Sequence, residues 1–83
     1  MVFKNMHTHY HQQNEFLDEI QREAEQEGDT IYYYNLLQKI DDNSREWIFH
    51  QVENKLSLEQ HESLIRRKHA LIDYIKQGLT DLE

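Results

Sequence analysis

Apolar positions recur at helical spacing along most of the chain, and projecting them at about 100° per residue predicts four segments. The first, from about Thr8 or Asn14 to Glu27, sets Tyr10, Leu17, Ile20 and Ala24 on one face with Phe16 at its border. Gly28 then stands where a helix commonly ends in the left-handed conformation. Asp29 or Thr30 is placed to cap a short second helix, in which Tyr33, Leu36, Leu37 and Ile40 form a stripe flanked by Tyr32 and Tyr34. The cluster Asp41-Asp42-Asn43-Ser44 reads as a turn, because short polar side chains bond nearby backbone amides.

Asn43 with Glu46 three residues on reads as a capping box opening a third helix, whose stripe is Ile48, Phe49, Val52 and Leu56. Ser57 with Gln60 repeats that signature. The fourth helix, about Leu58 to Gln77, carries Leu64, Ile65, Leu71, Ile72 and Ile75 before Gly78, with Leu79 placed for the apolar contact that accompanies a glycine cap. Almost no linker separates the third and fourth helices, which means an antiparallel hairpin, a sharp corner or one kinked rod. Thr30 to Tyr34 is also rich in β-favouring residues, but its only pairing partner, Met1 to His11, would make a marginal two-stranded ribbon. The helical reading is the stronger. The expected fold is therefore all-α, a small bundle of three to four helices with the third and fourth in a tight hairpin. Residues 1–83 form one domain, with 1–8 as a flexible arm. Leu82-Glu83 matches a carboxyl-terminal cloning remnant and is assigned no role.

Composition narrows what such a bundle can do. A chain of 83 residues buries only roughly 60% of the surface its unfolded form exposes, so the core is small. The absence of cysteine excludes disulfides, thiolate metal sites and cysteine catalysis. No apolar run approaches the roughly 18 residues of a spanning helix, and no signal-like stretch opens the chain, so a soluble cytoplasmic protein with no membrane partner is expected. The net charge of −7 disfavours polyphosphate and anionic membranes. Residues 1–42 hold nine acids against three bases, whereas residues 43–83 hold seven against six. The acidity thus belongs to the front half, where Glu15, Asp18, Glu19, Glu23, Glu25, Glu27 and Asp29 face a lone Arg22. Such a run is most simply the solvated side of an amphipathic helix. Its sharper meaning is an anionic surface that steers a basic partner or imitates nucleic-acid phosphate. Bases gather only at Arg66-Arg67-Lys68, the basis of the alternative reading as a helix-turn-helix nucleic-acid binder. Against it, the start of that helix carries Glu59 and Glu62, which would face phosphate.

Six histidines raise the question of metal. His7, His9 and His11 alternate on one face of an extended segment, and His7 and His11 share a face of a helix, but a terminal arm lacks the fixed geometry and outer shell of a functional site. These three are weak metal candidates, and no cofactor is expected. No His-Glu-x-x-His, glycine-rich phosphate loop, nucleophile elbow or triad is present, which argues against an enzyme. His61 and Lys68 project into the fourth helix's apolar stripe, and the simplest account has Lys68 laying its methylenes on the core and sending its ammonium to the edge.

Aromatic residues outside the stripes complete the pattern. Trp47 projects away from Ile48, Phe49, Val52 and Leu56, and a short helix cannot bury Tyr32, Tyr33 and Tyr34 on one side. Asp29-Thr30-Ile31-Tyr32-Tyr33-Tyr34, with the size and acidity of the chain, is similar to the nuclease-colicin immunity proteins, acidic four-helix inhibitors that set tyrosines and carboxylates against a basic nuclease. The tyrosines come earlier here, no proline follows them and the third helix is longer, so the likeness serves as an analogy for how such a surface works. The expected function is a small non-enzymatic interaction module, a regulator, inhibitor or adaptor of a basic protein. Trp47, Tyr32 and Tyr34 would act as anchors and Glu19, Glu23 and Glu25 as steering charges. A broad apolar arc on the fourth helix leaves room for a homodimer.

Overall fold

Asp29 and Ser57, two of the expected caps, are where helices begin. The structure, a computed structural model, describes the backbone of residues 4–50 and 56–83 and the side chains of residues 9–46 and 56–83. Within these residues the chain is all-α, with α1 (Lys4–Ala24), α2 (Thr30–His50) and α3 (Leu58–Leu82). Asp29 Oδ1 accepts the amide of Tyr32 at 2.8 Å, satisfying a donor that the first turn of α2 leaves free. Ser57 and Gln60 form the full reciprocal box, the Ser57 hydroxyl taking the Gln60 amide at 3.1 Å and the Gln60 side chain taking the Ser57 amide at 3.2 Å.

The break expected at Asp41-Asp42-Asn43-Ser44 does not occur: α2 runs straight through it, so the described residues form three helices, the lower of the three to four expected, and the Asn43–Glu46 capping box does not form. Each polar residue there has a reason to be helical. Asp41 pairs with Arg45 at 3.0 Å and Asp42 accepts from Gln38 at 2.9 Å, both at the i, i+4 spacing that only a helix provides. Ser44 takes a hydrogen bond from Lys68 across the bundle. These partners, with Leu36 and Ile40 buried in the turns before, outweigh a preference for turns that is worth only about 0.7 kcal/mol per residue or less. The expected stripe at Ile48, Phe49 and Val52 lies outside the described side chains, while Leu56 packs against the core.

The glycines do not end helices by left-handed geometry, since neither has a positive φ. At Gly28 a Cβ would come within 2.2 Å of the Tyr32 ring, so glycine is needed for close approach. That ring is held in place by its hydroxyl, which donates to the Glu23 carbonyl oxygen at 2.9 Å, and the Tyr33 hydroxyl donates to that of Gln26 at 3.2 Å. Tyrosines of α2 thus close the carboxyl end of α1, which stops at Ala24 rather than Glu27. Gly78 lies inside α3, beneath the Tyr33 ring, and the helix continues past it.

Neighbouring helices run antiparallel, as the pairs Glu23–Lys39 and Ser44–Lys68 require, giving an up-down-up bundle in which α1 and α3 are parallel. Leu17, Ile20 and Ala24 of α1, Leu36 and Ile40 of α2 and Leu64, Leu71 and Ile75 of α3 form the core. Most were on the predicted stripes, but Ile65 is 40% exposed. The seam between α1 and α3 is fastened by Arg67, whose guanidinium bonds the Asn14 side chain at 3.0 Å, the Gln21 side chain at 3.2 Å and the carboxylate of Asp18. The hydrogen bond from Arg67 holds the Asp18 carboxyl below the usual aspartate range, outweighing an opposing effect of desolvation, with the charges of Arg67 and Arg22 adding to the lowering. Because Asp18 has a depressed folded-state value, its contribution is full above 3.8 and is lost as pH falls through that value. Arg67→Ala is expected to lower the thermal midpoint by a few degrees at pH 7, by a margin that narrows in acid. A thermal melt unchanged at pH 7 would contradict the fastening role.

Candidate functional site

Because α1 and α3 are parallel, their carboxyl ends meet at one end of the bundle. Between them, the α1–α2 turn and Tyr33, a groove of about 520 Å³ opens, lined by Glu25, Gln26, Glu27 and Gly28 on one side and by Tyr74, Gln77, Gly78 and Asp81 on the other. Tyr33 forms its floor against Gly78, with ring atoms that a Cβ there would meet at 3.4–3.7 Å. The Tyr74 ring, on the α3 wall, remains 54% exposed. The carboxylates of Glu25 and Glu27 have no ion pair or hydrogen bond among the described residues, and that of Asp81 accepts only from the neutral Gln77 side chain, at 3.0 Å. No basic side chain lines the groove. Helix carboxyl ends carry partial negative charge, and the last turn of α3 contains no base to offset it. Arg22 in the last turn of α1 offsets that helix end, so the three carboxylates and the end of α3 are what make this hollow acidic. A smaller hollow of about 220 Å³ continues along the α1–α3 seam, sharing Glu25 and Tyr74 and ending at Arg67. By contrast, the hollow between α1 and α2 contains Lys39, paired with Glu23 at 3.3 Å, so its charge is mixed.

The expected partner-binding residues are dispersed. Of the three steering carboxylates, Glu19 is exposed, Glu23 turns to Lys39 of α2 and Glu25 lies in the groove beside α3. Tyr34 is 59% exposed, whereas Tyr32 is half-buried and closes α1 through its hydroxyl. The Trp47 side chain lies outside the described residues. Its position is nonetheless informative, since thirteen residues along an unbroken α2 set Trp47 and Tyr34 about 140° apart round the helix axis and about 20 Å apart along it. Trp47 falls seven residues after Ile40, at the register of the core stripe. The groove residues missed from sequence are Tyr33, Tyr74, Glu27 and Asp81. Tyr74 and Asp81, seven apart on one helix, were the available signal, but only the parallel packing of α1 and α3 brings them to Glu25 and Glu27.

Nor do the basic residues form a common surface. Arg67 is occupied by α1, Lys68 is buried and Arg66 alone is exposed. Among the histidines, His11 pairs with Glu15 at 2.5 Å, His9 is half-buried, and the side chain of His7 lies outside the described residues. No group of three metal-ligating side chains occurs among the described residues.

Lys68 departs from its expected place at the edge. Only 9% of it is exposed, in the stripe of Leu64, Leu71 and Ile75, and its ammonium donates to Ser44 Oγ at 3.3 Å. Gln13 Oε1 and Asn43 Oδ1 are also buried, without partners among the described residues. Burial pushes the Lys68 ammonium below the usual lysine value of 10.5. The folded chain therefore binds fewer protons than the unfolded one just below that value, and the cost of the charge is relieved as pH rises through the depressed value towards 10.5. Lys68→Met is expected to stabilise the bundle by about 1–2 kcal/mol at pH 7, with an advantage that shrinks in alkali. Chemical denaturation of both proteins across that range checks this, and a destabilised variant would contradict it.

Comparison with protein-family models, curated proteins and solved structures finds no match for the chain.

Proposed function

We propose that this protein is a small acidic, non-enzymatic interaction module that acts as a regulator, inhibitor or adaptor of a protein with a basic surface. The observation that carries the reading is the groove in which Glu25, Glu27 and Asp81 surround tyrosine rings with no cation among its walls. Complementary charge speeds encounter and selects partners, and a concave surface with aromatic walls supplies contact area. The net charge of −7 and the concentration of acid in the front half favour the same class of partner. The nucleic-acid alternative needs Arg66, Arg67 and Lys68 together on one surface, and the engagement of two of them inside the bundle counts against it.

The tagged protein, incubated with lysate of its native host, is expected to retain a stoichiometric protein with a basic surface and to release it as salt rises to about 0.5 M. Replacing Glu25 and Glu27 by Gln and Asp81 by Asn together should abolish retention while leaving the helical circular dichroism signal in place. Retention of nucleic acid, or of nothing beyond a second copy of the chain, would overturn the reading.

A further inference from the structure

We infer that the groove between the ends of α1 and α3 is a socket for an arginine side chain presented by the partner. The inference rests on the reading of the protein as a binder of basic proteins and adds what the socket selects. Its walls supply the two things that a guanidinium uses and an ammonium uses less well. The Tyr74 ring, 54% exposed at the mouth, offers a π face on which a planar cation stacks. Glu25, Glu27 and Asp81 offer carboxylate oxygens with no cation in place, and carboxylates accept two parallel hydrogen bonds from the guanidinium fork. The end of α3, with no base in its last turn, adds a negative field that requires no side chain to be ordered.

The volume of about 520 Å³ holds a whole side chain and its flanking backbone, and the floor is already fixed. Tyr33 is tied to the Gln26 carbonyl and rests on Gly78, so binding does not have to organise it. The continuing hollow past Tyr74 towards Ala70 gives the chain on one side of the arginine a path along the α1–α3 seam. The hollow beside α2 lacks this character, since Lys39 already occupies its carboxylate.

The test is a nuclear magnetic resonance titration of the full chain with acetyl-Gly-Arg-Gly-amide and with its lysine and citrulline counterparts. Saturable shifts confined to Glu25–Gly28, Tyr33 and Tyr74–Asp81 are expected with the arginine peptide, several-fold weaker binding with lysine and roughly tenfold weaker binding with citrulline. Tyr74→Ala, and Glu27→Gln combined with Asp81→Asn, should each weaken binding roughly fivefold or more, whereas Glu19→Gln should leave it unchanged. These side chains are exposed, and circular dichroism of each variant confirms the fold. Equal binding of the citrulline peptide, shifts spread over all the carboxylates, or binding indifferent to Tyr74→Ala would overturn the socket. A basic partner retained from lysate by wild type and by Tyr74→Ala alike would overturn the socket while leaving the functional reading standing. Peptide binding in the groove without any basic partner would do the reverse.

Discussion

A single ammonium inside the bundle organises more of this structure than any apolar contact. The interior stripe of α3 runs Leu64, Lys68, Leu71, Ile75, and the second of these brings a charge into an otherwise apolar row. A buried cation without an acceptor would be far too costly, so the facing helix must present one. Ser44 does so, and it can only if α2 remains helical through Asp41–Ser44. That bond adds to the Asp41–Arg45 and Gln38–Asp42 pairs and to the burial of Leu36 and Ile40 in keeping α2 unbroken through this stretch.

The same economy is visible at the other end. α1 ends without a left-handed glycine: the Gln26 amide donates to the Glu23 carbonyl at 3.2 Å, the Tyr32 hydroxyl adds a second hydrogen bond to that carbonyl, and the Tyr33 hydroxyl donates to the Gln26 carbonyl in the turn that follows. Using those rings as caps draws the start of α2 tightly under the turn and makes Gly28 obligatory. It also leaves the carboxyl ends of α1 and α3 side by side, with Glu25, Glu27 and Asp81 around them. The negative groove is thus a by-product of how a small core closes its helices. Arg67, the cation nearest to it along the seam, is committed to Asn14, Asp18 and Gln21 and does not neutralise it.

What could be read from sequence was what neighbours in sequence decide. The helical class, the Ser57–Gln60 box, the Asp29 cap and the stripes through Leu17, Ile20, Leu36, Ile40, Leu71 and Ile75 depend on spacing of four residues or fewer, and they agree with the structure. The break at Asp41–Ser44 failed as an expectation because Asp41 and Asp42 find helical partners in Arg45 and Gln38, and Ser44 is held by Lys68, twenty-four residues away. Gly28 was recognised as special for the wrong reason, since the approach of the Tyr32 ring is tertiary. The candidate site was legible only in part. Glu25 was singled out for its charge, but grouping it with Glu19 and Glu23 followed sequence position, whereas its companions Glu27, Tyr74 and Asp81 are assembled by the packing of α1 beside α3. Trp47 and Tyr34, both expected as anchors, belong to α2. An unbroken helix separates them.

The central claim is that α2 passes through Asp41–Ser44 without a break and so presents Ser44 to Lys68. Amide hydrogen exchange resolved by residue across Asn43–Glu46 tests it most directly. The account predicts slow exchange throughout this stretch, comparable to that at Leu37–Ile40, as expected of amides bonded inside a helix. Exchange at the rate of an open turn at Asn43–Glu46, beside protected amides at Leu37–Ile40, would contradict it.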